Sequence, residues 1–419
     1  MEIAIIGGGA AGFMAAITAQ KTDPASKVTI FERAQKVLAK VEITGGGRCN
    51  LTNSFAAITD MKQAYPRGDK FMKRLMKTFS YEDTYKWFEK HGVPLVTQED
   101  ECVFPKAQDA HAIIDCLVRQ ARELGITVCC KHRLTDICQK EDGSFELMFE
   151  NASHRSFHRV IVSTGGSPHA RALDYLARLG HKIEHPVPSL FTFATEDSFI
   201  EGLAGVSKEV NAKLLASDHS SLKIPLLEKQ GLVGALLVTH WGFSGPVVLR
   251  LSAFAARILA QLDYKFSLKI NWLAEEEILS SEEALSILQE EKQKHPRKEL
   301  QNHCPFNLTK KLWNKLLERS GALPHLLWAE LNKAQLHALA HTLTHSIFPI
   351  EGKATFKEEF VTAGGVSLKE IDFKSFRSKL FSTLYIGGEA LDIDAVTGGY
   401  NFQNAWSSGY LIAEGVTSE

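Results

Sequence analysis

Apolar and polar positions follow a strand–helix–strand order from the first residues. Ile3–Ile6 is an apolar run, Gly7-Gly8-Gly9-Ala10-Ala11-Gly12 interrupts it, an Ala-rich helical stretch follows, and Val28–Phe31 is a second apolar run. Short unbroken apolar runs around a helix are the pattern of parallel strands buried on both faces. Phe71–Lys90 has helical character, with Ser80 and Asp83 spaced as an N-terminal cap near its middle and Gly92 as a stop, so it divides into two short helices. Ala110, Ile113, Ile114, Leu117, Val118, Ala121 and Leu124 recur at helical spacing and end at Gly125. Ile126–Cys130 then reads as a strand. Asp136–Phe149 reads as a pair of strands turned at Asp142-Gly143, and His158–Val162 as a further strand before Ser163-Thr164-Gly165-Gly166.

The pattern changes near Pro186. As far as Gly352 the glycine turns thin out, Leu232–Val238 reads as a strand, and residues 275–345 become helical and charged. From Thr355 onward the glycine turns return, at Ala363-Gly364-Gly365, Ile386-Gly387-Gly388-Glu389 and Thr397-Gly398-Gly399-Tyr400-Asn401. The fold class predicted is α/β: a discontinuous Rossmann-like domain built from residues 1–187 and 353–419, and an inserted domain of β-strands and helices over residues 188–352.

The 419 residues are 44% hydrophobic and 23% charged, with 48 Lys plus Arg against 49 Asp plus Glu, so the chain is not basic overall in the manner of many nucleic-acid binders. The longest apolar run, Pro246–Leu262, is broken by Arg250 and Arg257, and the first residues enter a strand rather than a signal core, so a cytoplasmic protein without a membrane anchor is expected. The 7 cysteines include no C-x-x-C pair. They are expected to be reduced, with Cys129 and Cys130 packed inside a strand.

Gly7-x-Gly9-x-x-Gly12 follows a strand and opens a helix. In that context the first glycine turns the chain, the second admits a pyrophosphate and the third packs helix on sheet, with helix N-terminal amides facing the phosphates. Glu32 comes 20 residues after Gly12, at the end of the second strand, where an acid accepts hydrogen bonds from ribose hydroxyls and disfavours a 2′-phosphate. FAD or NAD therefore fits better than NADP. The segments Leu384–Glu389 and Ser163–Gly166 resemble the turns by which glutathione-reductase-like flavoproteins return to FAD, which selects FAD.

A narrower resemblance rests on Thr44-Gly45-Gly46-Gly47-Arg48-Cys49-Asn50-Leu51-Thr52-Asn53, Thr239–Pro246, Thr362–Val366 and Gly398-Gly399-Tyr400-Asn401-Phe402-Gln403. With these segments the chain resembles, over essentially its whole length, the BaiN/RdsA family of FAD-dependent oxidoreductases. It departs from that pattern at Val37-Leu38-Ala39 and Glu42. The resemblance implies a Rossmann-like FAD-binding domain interrupted by an inserted domain. The cofactor-binding residues expected are Gly7, Gly9, Ala11, Gly12, Glu32, Lys40, Gly46, Gly47, Arg48, Asn50, Thr52, Thr164, Gly165, Gly166, Gly388, Glu389, Gly399, Tyr400, Asn401 and Phe402. Arg48 is expected at the phosphates or the reduced ring, and Asp394 as a solvated turn residue. It also implies reduction of conjugated double bonds in bile-acid intermediates, formation of dihydrouridine in ribosomal RNA, or oxidation of aminoacetone.

Reducing a carbonyl-conjugated C=C bond takes a hydride at one carbon and a proton at the other, so a general acid is needed. His240, Tyr400 and Cys49 are the candidates. No second dinucleotide fingerprint is present, so NADH or NADPH would act as a transient reductant at the flavin. His341 and His345 lack the glutamate of a H-E-x-x-H site, and no metal is expected. Lys292, Lys294, Arg297, Lys298, Lys310, Lys311, Lys315 and Arg319 form a basic segment with Trp313 beside it, which can grip ribosomal RNA or form a solvated helical face. Three readings follow: a reductase acting on uridine in RNA or on a small enone, an oxygen-using amine oxidase, and a non-catalytic flavin-binding module.

Overall fold

The computed structural model describes residues 1–167, 170–227, 231–354 and 361–418. The expected return to glycine turns at Thr355 begins outside them. The chain divides into two compact units, Met1–Pro188 with Phe360–Glu419, and Ser189–Glu359.

The first unit is organised by a 5-stranded sheet in the order Leu384–Ile386, Arg159–Val162, Glu2–Ile6, Lys27–Phe31, Thr127–Cys129. All four pairings are parallel, with Ile6 level with Phe31 and Val162, and Val162 level with Ile386. The three strands on the Leu384 side bury nearly every side chain, as their unbroken apolar runs require. Thr127–Cys129 is the edge strand instead. Val128 is exposed there and Cys129 and Cys130 are half-exposed, which corrects the expectation that both thiols pack inside; an edge strand has a neighbour on one side only.

One face of the sheet carries the helix Ala10–Thr22, buried from Ala10 to Gln20 on every side. A helix that is apolar all round needs neighbours all round. Its neighbours include the helices His111–Glu123 and Tyr400–Thr417. The approach of Tyr400–Thr417 is close enough that a Cβ on Gly409 would lie 2.5 Å from the Ala11 carbonyl oxygen. On the other face Phe31 meets Phe149 and Phe157, with ring centroids 4.6 and 5.6 Å apart. These rings belong to a 3-stranded antiparallel sheet, Leu134–Gln139, Phe145–Phe149 and His154–Phe157, turned at Asp142-Gly143. The third strand was not anticipated, because His154, Arg155 and Ser156 are exposed and show no apolar alternation. The expected pair of helices is present as Asp69–Leu75 and Tyr81–Lys90, the second capped by reciprocal hydrogen bonds between Ser80 and Asp83.

The second unit holds a 7-stranded antiparallel sheet whose two edge strands, Ser346–Ile350 and Gly352–Lys353, are consecutive in the chain. The Thr195 hydroxyl donates to Pro349 O at 2.6 Å, and Glu351 N donates to Ala194 O at 3.0 Å. The sheet is thereby curled on itself. Pro246–Gln261 is a helix whose apolar side packs on this sheet, and Ser281–Lys294, Lys310–Ser320 and Lys333–His345 surround the buried Trp272, Trp313 and Trp328. Among the described residues no helix is long and apolar enough to cross a membrane.

Candidate cofactor site

At the carboxyl end of the parallel strands the three glycines of the first turn do three different things. Gly7 has φ of 115°, and a Cβ there would lie 2.4 Å from Ser163 O, so only glycine fits both the turn and its neighbour. A Cβ on Gly12 would lie 2.0 Å from Gly7 O, so this position fixes the helix against the turn. Gly9 precedes the helix Ala10–Thr22 in extended conformation, and a Cβ there would meet nothing within 4 Å. Open space at a helix N-terminus, where amides point outward, is a cradle for an anion.

From this turn a crevice runs past Gly8, Glu32, Leu38 and Lys40 to Thr164 and Gly165. It occupies the carboxyl edge of the sheet, where open α/β folds hold their ligands. The Glu32 carboxylate accepts from Gly8 N and Ala34 N, each at 2.8 Å, which orients it at the strand end. Each oxygen keeps a further lone pair for a hydroxyl donor. Glu389 is tied to two residues of the crevice lining, Lys40 and Gly166. Its Oε2 pairs with Lys40 Nζ at 2.9 Å and accepts from Gly166 N at 3.4 Å, while its Oε1 is buried without a partner. Gly388, with φ of 63°, is held by its N–H donating to Ser408 Oγ at 3.0 Å, and its Cβ position lies 3.3 Å from the Ala11 side chain.

The two motif segments far apart in sequence are stitched together. Thr52 Oγ1 donates to Gln403 Oε1 at 2.6 Å, Trp406 Nε1 to Leu51 O at 2.9 Å, and Asn53 Nδ2 to Gly398 O at 3.1 Å. The Asn50 amide, oriented to satisfy both neighbours, donates to Thr52 O and accepts from Gly399 N. A Cβ on Gly399 would lie 2.3 Å from Thr52 O, which accounts for that glycine. Asn401 is occupied locally, its side chain bonding both the N–H and the carbonyl of Ala395, and Phe402 stacks on Trp406 with centroids 5.8 Å apart.

Sequence reasoning missed Asn404. It is fully buried one helical turn before Ser408, and neither its amide nitrogen nor its carbonyl oxygen has a partner. Such a group carries a desolvation cost of about 1–3 kcal/mol unless something else completes it. Its signal in sequence was only a polar residue on a helix that turned out to be buried.

The other expected residues differ in their surroundings. Gly46, Gly47 and Arg48 lie on an exposed loop where Gly45–Gly47 all take positive φ. The Arg48 guanidinium is seated over the Phe104 ring, 4.4 Å from its centroid, and donates to Gly45 O at 3.0 Å. Cys49 is 0% exposed, and burial pushes its thiol up to about 12, so it is a neutral thiol at ordinary pH. Tyr400 is buried with its ring edge-on to Phe55, and its carbonyl accepts from the Tyr65 hydroxyl at 2.7 Å. His240 belongs to the other unit, exposed between the strands Leu232–Thr239 and Gly242–Ser244. Asp394 is not a solvated turn residue: it is fully buried and bound to the Arg67 guanidinium, because burial of a carboxylate demands a paired cation.

In the second unit most of the basic segment is tied down. Lys294 pairs with Glu290 at 2.8 Å, Arg319 with Asp197 at 3.0 Å, Lys315 with Glu318 at 3.8 Å, and Lys310 Nζ donates to Asn302 Oδ1 at 3.0 Å. Trp313 is fully buried and donates to Leu300 O at 2.6 Å, so it is a core residue and not a stacking platform. The His341 and His345 rings stack 5.1 Å apart, and no group of three ligand-type side chains forms around them among the described residues.

The residues present fit a flavin dinucleotide: open space at Gly9, a placed acid at Glu32, and two buried polar groups, Glu389 Oε1 and the Asn404 amide, that lack protein partners. A family model described as HI0933-like protein Rossmann domain matches residues 1–415. The chain is 28% identical over 420 residues to a 3-dehydro-bile acid delta(4,6)-reductase of Clostridium scindens, covering 98% of this chain and 97% of that one. It is 27% identical over 428 residues to a ribosomal RNA dihydrouridine synthase of Haemophilus influenzae, covering 100% of this chain and 99% of that one. Among solved structures, a 3-ketosteroid-delta4-(5alpha)-dehydrogenase from Rhodococcus jostii RHA1 aligns with a TM-score of 0.49 at 13% identity, over 100% of this chain and 96% of that one. With its whole length matched and its glycine crevice built for a dinucleotide, the chain belongs to the HI0933-like Rossmann-domain family of flavoprotein oxidoreductases.

Proposed function

We propose that this FAD-dependent oxidoreductase reduces a C=C bond conjugated to a carbonyl, in a small enone or in uridine of ribosomal RNA. The observation that carries the reading is the full-length likeness to two relatives whose names describe that same chemistry on different substrates, a dienone steroid acid and a uracil ring. When bound, FAD would supply the hydride, with NADH or NADPH as the reductant proposed. The amides at the start of Ala10–Thr22 would hold the pyrophosphate, and Glu32 would accept from the ribose. Lys40 holds Glu389 through Oε2, which leaves Oε1 as an acceptor for the cofactor, and the unpartnered Asn404 amide would be completed by the same ligand. Thr52, Asn50 and Gln403 lock the N-terminus of Tyr400–Thr417, whose positive end favours the negative charge that gathers on a reduced ring.

The second substrate carbon needs a proton. Tyr400 Oη remains the donor proposed, while Cys49, 0% exposed, is assigned to packing. The partnered state of Lys294, Lys310, Lys315 and Arg319 supports a small enone over RNA, since a phosphate would have to displace three ion pairs and the Lys310–Asn302 hydrogen bond already made.

The test is anaerobic. Purified protein is reduced with NADH or NADPH, then mixed with a small conjugated enone, ribosomal RNA or aminoacetone while flavin absorbance is followed. Reoxidation by the enone or by RNA is expected. If neither reoxidises the flavin while aminoacetone bleaches the oxidised form and yields peroxide in air, the amine-oxidase reading replaces this one.

A further inference from the structure

Outside the flavin crevice, three side chains with metal-ligating atoms converge in the second unit. Glu291 lies on the last turn of the helix Ser281–Lys294, His295 follows at its C-terminal cap, and His303 ends the short turn Leu300–Asn302. One ligand atom from each lies within 4.8 Å of the others. Glu291 Oε2 is 2.7 Å from His303 Nε2 and 3.7 Å from His295 Nε2, and the two imidazole centroids are 4.4 Å apart. All three residues are half-buried.

The geometry points to a divalent transition-metal site of the zinc class, with Glu291, His295 and His303 as ligands and an open fourth position for water. Two imidazoles and one carboxylate are a donor set that zinc takes readily. Tetrahedral bonds of about 2.0–2.1 Å place ligand atoms about 3.3 Å apart. The two distances to Glu291 Oε2 bracket that spacing, so rotamer adjustments suffice. Three further features favour a cation here. The spacing Glu291 to His295 puts both side chains on one face of the helix end. The carbonyl end of a helix attracts positive charge. The third ligand is held from behind: Leu300 is fully buried, its N–H donates to Leu326 O at 2.9 Å, and its carbonyl accepts from Trp313 Nε1.

One residue opposes the ion. Lys298 Nζ lies 3.4 Å from His303 Nδ1, and an ammonium there both repels a dication and holds the imidazole in the tautomer whose Nε2 carries the proton. Lys298 is exposed, so it can swing away when a metal takes Nε2. The charge repulsion makes it a brake on affinity, which gives the site a variant that should bind better as well as variants that should bind worse.

The experiment uses the full-length protein, stripped of metal with chelator and titrated with Zn2+ alone against a chromophoric competitor. One equivalent is expected to bind. His295→Ala, His303→Ala and Glu291→Gln should each weaken that equivalent by at least 10-fold, and Lys298→Met should strengthen it severalfold. Co2+ should give the intense visible bands of tetrahedral coordination in the parent protein and lose them in His303→Ala. Absence of a saturable equivalent overturns the proposal. So does binding that all four variants leave unchanged, which would place the ion on the cysteines or on His341 and His345. Glu291→Gln keeps shape and hydrogen bonding, so it tests the site even if a histidine variant fails to fold.

Discussion

Replacing Gly9 with alanine separates cofactor binding from folding, because the three glycines of the first turn have different surroundings. Gly9 has φ of −93° and ψ of −170°, which any residue adopts, and a Cβ there meets no protein atom within 4 Å. Alanine is a poorer helix cap than glycine by roughly 0.5–1 kcal/mol. It also reduces the freedom of the unfolded chain, which stabilises by about 0.4–1 kcal/mol. The two effects cancel to within about 0.5 kcal/mol, so urea unfolding of the flavin-stripped protein should be unchanged. FAD should be affected strongly. A methyl group in the space assigned to the pyrophosphate displaces it from two helix-terminal amides. At about 1.5–3 kcal/mol for each charge-assisted bond, the loss is about 3–6 kcal/mol. That corresponds to a roughly 10²- to 10⁴-fold rise in Kd. Titration of stripped protein with FAD, followed by flavin fluorescence, measures it. The control is Gly12→Ala, whose Cβ would sit 2.0 Å from Gly7 O and should destabilise the fold by about 1–3 kcal/mol or more. Parental FAD affinity in a folded Gly9→Ala protein would refute the assignment of this crevice.

Asn404→Leu should stabilise the flavin-stripped protein by about 1–3 kcal/mol, since it removes two buried unpartnered polar atoms, and should weaken FAD binding; thermal unfolding with and without FAD reads both, and an unstabilised variant that retains FAD would contradict the role given to this amide. Cys49 carries a folded thiol raised from 9.0 to about 12, so its contribution is whole below pH 9 and is lost as pH rises from 9 toward 12, where the unfolded chain ionises first. At pH 10 the loss is about 1.4 kcal/mol, so the stability gap between parent and Cys49→Ala should narrow by that amount between pH 7 and pH 10. Replacing Lys310, Lys311 and Lys315 with glutamine should leave reduction of a small enone intact; a selective loss of activity on ribosomal RNA at matched salt would reverse the preference for the small substrate.

The parts of the fold legible in the sequence are those set by local rules. Gly7, Gly9 and Gly12, the acid at Glu32 and the Ser80–Asp83 cap each act within a few residues or one βαβ step, so their spacing exposes them. Hydrogen bonds across long separations leave no such trace. Thr52 meets Gln403 across 351 positions, and neither residue type announces a partner. The short strand Thr52–Asn53 and the exposed strand His154–Phe157 have no periodicity long enough to read. Asn404 was missed and Asp394 misread for one reason: polarity in sequence suggests solvent, and only the packing of Tyr400–Thr417 and the position of Arg67 show them buried. Glu291, His295 and His303 escaped notice because the third member sits beyond the helix, on a turn whose direction is set by Leu300.

The helix Ala10–Thr22 has no solvent-facing side, yet one of the elements that cover it, Tyr400–Thr417, comes last in chain order. On the ribosome, at about 5–20 residues per second, the early segment therefore spends about 20 s or more with apolar surface bare before its cover is made. The sheet waits as well, since Leu384–Ile386 must arrive to flank Arg159–Val162. Nascent chains stalled before residue 384 should thus recruit chaperones and resist release as native protein, whereas the antiparallel unit between has all its described strands by residue 353 and is free to fold first.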